Sequence, residues 1–138
     1  MKRTVKLLCM TLAMGIAVGV VGDRILNAQQ EPIKRAVLIK TDLAGIKGKE
    51  ARLIRAEYAP GASVGKHHHP GHEFVYLLEG SATLEVEGKP PVTVKAGDSY
   101  YQPPKQVHDF KNASATNPAK LITFFITEKD QPFIVPVK

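Results

Sequence analysis

Turn-forming residues divide the chain into short segments from about Ile33 onward, and this spacing limits the possible folds more than any other feature. Proline and glycine recur every several residues, at Pro60-Gly61, Pro70-Gly71, Glu79-Gly80, Gly88-Lys89-Pro90-Pro91, Gly97-Asp98 and Pro103-Pro104. No stretch after Ile33 keeps apolar residues at helical spacing for three turns. Many short strands separated by turns predict an all-β barrel or sandwich.

Nine strands are predicted from runs of β-branched, aromatic and alternating residues. They are 35–40, 51–58, 73–78, 82–86, 92–95, 99–101, 107–111, 120–126 and 133–137. In 82–86 apolar and polar residues alternate, so one face of this strand is expected to pack inward.

Residues 1–28 have the pattern of an export signal. Lys2, Arg3 and Lys6 precede an uncharged run over 7–21, and Asp23 follows it. Fifteen residues are the upper end of a signal-peptide core and fall short of the roughly 20 needed to span a bilayer as a helix. We expect a cleaved signal peptide, with an uncleaved anchor helix as the alternative. The protein is then periplasmic or extracellular, or anchored at the inner membrane, with 29–34 as a tether and 35–138 as the folded domain.

The composition limits the chemistry of the folded domain. The only cysteine of the chain is Cys9 in the leader, so the sequence after residue 28 can form no disulfide and offers no thiolate to a metal. Of the formal charge of +6, the leader carries four basic residues and one acid, which leaves 15 basic against 12 acidic residues. The basic residues are scattered, so the sequence predicts no nucleic-acid partner. A small-molecule ligand or substrate is expected from the histidines.

The histidines are concentrated in two short segments. The five of them are His67, His68, His69, His72 and His108. Since side chains alternate along a strand, His67 and His69 point the same way and His68 points the opposite way. Glu73 opens an apolar strand, where a carboxylate beside neutral imidazoles is unfavourable unless a cation compensates it. The alternative is a histidine-rich turn exposed to solvent, and His72 is expected at the surface or at a pocket rim.

Together, His67, His69, Glu73 and His108 predict a site for one divalent transition metal ion. Imidazole nitrogens and a carboxylate suit Mn, Fe, Co, Ni, Cu or Zn. If the metal is octahedral, two positions stay open for water, a substrate or dioxygen.

These residues resemble the two motifs of the cupin family. The first motif, G-x5-H-x-H-x3-E-x6-G, is filled at every position by Gly61, His67, His69, Glu73 and Gly80. The second motif, G-x5-P-x-G-x2-H-x3-N, is filled by Gly97, Pro103, His108 and Asn112. Lys105 stands where the family has the glycine of a tight turn, so we expect a different backbone there. The resemblance implies a jelly-roll barrel of six to eight strands, and a homodimer in which the strand 35–40 is exchanged between protomers.

The resemblance indicates the metal ligands better than the reaction. Cupins with this ligand set include dioxygenases, decarboxylases, isomerases, lyases and non-catalytic binding proteins. The leading hypothesis is a metal-dependent enzyme on a small organic molecule, similar to quercetinase-like oxygenases. The second is an isomerase, lyase or decarboxylase that uses no dioxygen, with Glu85, Tyr100 or Tyr101 as proton carriers. The simpler interpretation is that the two tyrosines pack in the domain and that the glutamate is solvated. The third is a non-catalytic module that binds a ligand or a metal.

Overall fold

The computed structural model describes residues 31–138, of which Pro32–Lys138 form one compact unit. The predicted signal peptide or anchor helix and the start of the tether lie outside the described residues. The described part of the chain contains no helix, which confirms the prediction of an all-β domain. Accordingly, none of its elements is a helix with the length and apolar character that crossing a membrane requires.

Ten strands follow one another along the described chain. They are β1 (Ile33–Asp42), β2 (Lys49–Tyr58), β3 (His67–His68), β4 (His72–Glu79), β5 (Ser81–Val86), β6 (Val92–Lys95), β7 (Ser99–Gln102), β8 (His108–Asn112), β9 (Ala119–Glu128) and β10 (Val135–Pro136). They build two five-stranded sheets, in the orders β1-β2-β9-β4-β7 and β10-β3-β8-β5-β6. Neighbouring strands pair antiparallel throughout.

The hydrophobic core joins the two sheets. Along β9, Leu121 and Phe125 are buried, whereas the residues next to them in sequence are only half-buried, as alternation in a strand predicts. Leu77 of β4 and Leu84 of β5 come from different sheets and belong to one buried cluster. Leu77 is 1% exposed, so its burial stabilises the fold by about 1.5–3 kcal/mol. Because Glu73 lies on one sheet and the paired histidines of β3 and β8 on the other, this core also holds the predicted ligands together.

The strands differ from the predicted ones mainly at their ends, and one strand was missed. β3 has two residues, and it pairs with β8 on one side and with β10 on the other. Both partner strands are far away in sequence, so no local sequence pattern predicts β3. The described residues therefore hold ten strands, two of them only two residues long, where the resemblance implies six to eight.

Lys105 requires a correction to the sequence interpretation. Its φ of 65° lies in the left-handed region that glycine adopts freely, so the chain keeps a glycine-like turn here instead of the different backbone that was expected. The N–H of Lys105 donates a hydrogen bond to the carbonyl of His69 at 2.8 Å. This bond ties the loop before β8 to the segment that carries His69, which explains why the turn is retained despite the side chain.

β1 lies at the edge of its sheet. It pairs with β2 of the same chain along nearly its whole length, with an irregularity between Val37 and Ile39. The side chains of Val37, Leu38 and Ile39 are each about half exposed. The homodimer with exchanged amino-terminal strands stays a prediction.

Candidate metal centre

The four predicted ligands converge where the two sheets meet. The pairing of β3 with β8 places His67 directly beside His108, and Glu73 is the second residue of β4. One nitrogen of each of His67, His69 and His108 lies within 4.8 Å of the other two. Glu73 completes the group, because Oε1 is 3.5 Å from Nε2 of His69 and Oε2 is 3.2 Å from Nε2 of His108. All four side chains are buried.

The backbone determines which nitrogen of each imidazole is free. Nδ1 of His67 lies 2.7 Å from the carbonyl oxygen of Gly65, Nδ1 of His69 lies 2.7 Å from that of Phe133, and Nδ1 of His108 lies 2.9 Å from that of Gln106. A carbonyl oxygen only accepts hydrogen bonds, so each Nδ1 carries the proton and donates it. Each neutral ring therefore keeps a free lone pair on Nε2, which is the arrangement of a metal-binding histidine.

Asp109 fixes the turn that orients His67. The N–H of Gly65 donates to Oδ1 of Asp109 at 3.1 Å, and the hydroxyl of Ser63 lies 2.8 and 2.6 Å from the two carboxylate oxygens. Gly65 has a φ of 82°, a conformation that glycine adopts without strain. The carbonyl that holds the His67 ring is thus anchored to β8, the strand that also carries His108.

Glu73 provides the observation that tests whether a cation fits. The Oε2 of Glu73 is buried and receives no hydrogen bond within the described part of the chain while the His108 ring is neutral. This oxygen faces Nε2 of His108 at 3.2 Å, and Nε2 is itself an acceptor when the ring is neutral. A buried carboxylate opposite a lone pair is destabilising unless a positive charge balances it. A proton on His108 or a divalent ion would provide that balance, and only an ion would also use the free Nε2 atoms of His67 and His69, so these residues fit a metal.

Burial favours the neutral imidazoles that a metal requires. It lowers the pKa of His67 to about 4 and also lowers the pKa of His69. Burial acts in the same direction on His108, but the neighbouring Glu73 carboxylate, which accepts a hydrogen bond from Nε2 once this ring is protonated, outweighs it, and the pKa of His108 is raised. Of the three rings, His108 therefore takes up a proton most readily in the metal-free protein, and a metal ion competes with this proton for Nε2.

The four ligands line a small cavity with mainly apolar walls. Its other polar side chains include Tyr58, Tyr100 and Arg35, and Phe110 and Phe125 are among the apolar ones. The space open to water-sized molecules in this cavity is about 30 Å³. One water molecule needs about 10–15 Å³ of such space. Burial raises the pKa of Tyr58 to about 12 and the pKa of Tyr100 well above its usual range. Both phenols therefore keep their protons near neutral pH and are available as hydrogen-bond donors.

Of the three proton carriers considered from the sequence, the structure places Tyr100 in the cavity and the other two outside it. Tyr101, the next residue along β7, is 47% exposed, and its hydroxyl lies 2.7 Å from Nδ1 of His72 on the outer face. Glu85 is an exposed side chain of β5 that follows the buried Leu84. Alternation along β5 and β7 explains both positions.

The sequence interpretation missed Arg35, Tyr58 and Phe133 as residues of the site. Tyr58 follows Ile54 and Ala56 at alternate positions of β2, and this alternation was the signal that could have placed it on the inner face. No local signal points to Phe133, because its carbonyl reaches His69 across 64 residues of sequence.

Comparisons with known proteins agree with this geometry. A family model described as a cupin domain matches residues 54–125. An oxalate-binding protein of Thermotoga maritima is 34% identical over 85 residues, which cover 56% of this chain and 69% of that protein. The beta-alanine degradation protein BauB of Pseudomonas aeruginosa is 39% identical over 73 residues, which cover 51% of this chain and 76% of that protein.

Solved structures show the same fold. A cupin-like protein of Thermotoga maritima superposes with a TM-score of 0.60 at 25% identity, over 77% of this chain and 78% of that one. The family model covers just over half of this chain, including His67, His69, Glu73 and His108. The chain therefore belongs to the cupin family.

Proposed function

We propose that this cupin domain holds one divalent transition metal ion on His67, His69, Glu73 and His108 and uses it to bind a small organic acid. The observation that carries the proposal is the buried Oε2 of Glu73, which has no hydrogen-bond donor in the described chain while His108 is neutral and then faces a histidine lone pair. Mn, Fe, Co, Ni, Cu and Zn all accept this donor set.

The bound metal would supply Lewis acidity and open coordination positions for an oxygen ligand. The residues around it would orient that ligand. Tyr58 and Tyr100 keep their protons, so their hydroxyls are suited to donate hydrogen bonds to an anionic oxygen. The walls formed by Phe110 and Phe125 exclude water and strengthen these interactions.

The size of the cavity favours a compact ligand. About 30 Å³ of space for water-sized molecules is room for roughly two or three waters, which favours a ligand much smaller than a three-ring flavonol. The 34% identity to an oxalate-binding protein supports a ligand of this kind. We therefore propose a short carboxylic acid in place of the flavonols on which quercetinase-like oxygenases act.

The cavity also bears on the reaction class. In the described chain, its ionisable side chains are the four proposed ligands, two phenols that stay protonated, and Arg35. The proposed ligands would be occupied by the metal and both phenols are protonated, so no unbound carboxylate or imidazole lines the described cavity. An isomerase or lyase that removes a proton with a protein base finds no such group here. We therefore propose oxidation by dioxygen as the enzymatic activity, with decarboxylation, which needs no such base, and non-catalytic binding of the acid as the alternatives.

Metal content tests the first part of the proposal. The chain is purified without a histidine tag, loaded with each of the six metals and desalted, and bound metal is measured by elemental analysis. We expect about one ion per chain for one or more of these metals, and loss of it in the His67→Ala, His69→Ala double variant. His72→Ala removes an exposed histidine of the same segment and serves as the control. Equal metal content in the double variant and the unmodified chain would refute the site.

Dioxygen uptake separates the reaction classes. The metal-loaded chain is mixed with oxalate and other short dicarboxylic and hydroxycarboxylic acids in an oxygen electrode. Dioxygen consumption that requires both metal and acid supports the proposed oxidation by dioxygen. Turnover under anaerobic conditions would instead favour a lyase, an isomerase or a decarboxylase, and binding without product in either condition would leave a binding module.

A further inference from the structure

Arg35 faces the cavity from the edge strand β1. In the antiparallel pairing of β1 with β2, Arg35 lies opposite Ala56, which is buried on the inner face of the sheet. Paired residues of neighbouring strands point to the same face. The side chain of Arg35 accordingly lines the cavity together with His67 and Glu73, although the residue as a whole is exposed. Arg35 therefore lies at the mouth of the cavity, with the proposed metal ligands farther inside.

The guanidinium of Arg35 has no acidic partner among residues 31–138. Other basic residues in this part of the chain form ion pairs, for example Lys120 with Glu79 at 2.8 Å, but no carboxylate there lies within 4 Å of Arg35. Glu73 is the only carboxylate among the described residues that line the cavity, and its oxygens face His69 and His108. Arg35 instead lies near the Tyr58 hydroxyl. Burial raises the pKa of Tyr58, and the positive charge of Arg35 beside the hydroxyl opposes part of this rise.

We infer that Arg35 binds the outer carboxylate of a compact dicarboxylate whose inner carboxylate faces the metal centre. This inference rests on the proposed function. A guanidinium presents a planar fork of donors that matches a carboxylate with two parallel hydrogen bonds. Arg35 and the four ligands line the same cavity, so an anion bound in it can contact both. Arg35 is then the residue that selects dianions with two adjacent acid groups over monoanions.

The test measures binding of oxalate to the full, metal-loaded chain by calorimetry, with the metal content of every variant determined in parallel. Arg35→Gln is expected to weaken oxalate binding by about 10- to 100-fold, because it removes hydrogen bonds to a charged group. Arg35→Lys keeps the charge without the fork, so it should regain part of the affinity. Arg55→Gln on β2 is the matched control, because Arg55 is exposed between the buried Ile54 and Ala56 and so points to the opposite face.

A second ligand sharpens the test. Oxamate replaces one carboxylate of oxalate by an uncharged amide, so Arg35→Gln should change its affinity by less than about threefold. Equal oxalate affinity, within twofold, in Arg35→Gln and the unmodified chain would overturn the inference while leaving the metal centre intact. If the unmodified chain binds no metal, the proposed function itself fails, and the metal analysis shows this separately.

Discussion

Replacing Glu73 by Gln removes one charge and hardly changes the shape of the side chain, so this variant measures what the carboxylate does. The side chain is buried, and breaking a buried charge pair by removal of one partner costs about 3–5 kcal/mol. If Glu73 balances a metal ion, the affinity for that metal should fall by roughly 10²- to 10⁴-fold. The fold itself should survive, because the amide can donate a hydrogen bond to the free Nε2 of His108.

Thermal unfolding with and without metal measures this loss of metal affinity as a smaller metal-dependent rise in Tm. At a free metal concentration 100 times its dissociation constant, the unmodified chain gains about 2.7 kcal/mol. At about 4 °C per kcal/mol for a domain of about 100 residues, its Tm rises by roughly 10 °C. A variant with a 100-fold weaker site gains only about 0.4 kcal/mol at the same concentration, or roughly 2 °C.

The exposed Glu85 supplies the control for this experiment. Glu85→Gln makes the same chemical change outside the cavity, so it should keep the full metal-dependent rise in Tm. Circular dichroism shows whether both variants are folded. A folded Glu73→Gln variant whose metal affinity lies within threefold of the original would refute the role assigned to this carboxylate.

Three further predictions follow from individual residues. Lys105→Gly should raise the free energy of unfolding by about 0.5–1 kcal/mol in denaturant unfolding, because glycine adopts the left-handed conformation without strain. A lower free energy of unfolding would contradict this explanation of the turn. Gly71→Ala should lower the free energy of unfolding by about 1–3 kcal/mol and reduce bound metal, because the added Cβ would lie 2.2 Å from the carbonyl oxygen of Ile126. A variant as stable as the original would show that the turn has room for this Cβ. Metal affinity should weaken as the pH falls through the raised pKa of His108, because the metal competes with the proton that Glu73 stabilises there; a pH-independent affinity between about pH 5 and 8 in chelator competition would contradict it.

The fold class and the convergence of the four side chains were predictable because both follow from local spacing. Alternation and turn residues depend only on neighbours in sequence, and they predicted an all-β domain that the structure confirms. The spacing of His67 and His69 placed both rings on one side of an extended segment, and the structure brings them together with Glu73. The cupin motifs identified the family, which the comparison also shows.

The surroundings of these residues were not predictable, because they depend on contacts between distant segments. The carbonyl of Phe133 holds Nδ1 of His69, yet nothing in the sequence around Phe133 distinguishes it from other strand residues. Arg35 faces the cavity through the register of β1 on β2, and a shift of one residue would turn it outward. The prediction for the backbone at Lys105 failed for a different reason. A hydrogen bond to the carbonyl of His69 stabilises a left-handed conformation that a lysine side chain alone disfavours.

X-ray diffraction from crystals of the metal-loaded chain, recorded at the absorption edge of the metal, tests the central claim most directly. The account predicts one anomalous peak about 2.0–2.2 Å from Nε2 of His67, His69 and His108 and from an oxygen of Glu73. It also predicts that Nδ1 of each ring keeps its hydrogen bond to the backbone. A loaded crystal with no peak between these side chains, or with the metal bound elsewhere, would contradict it.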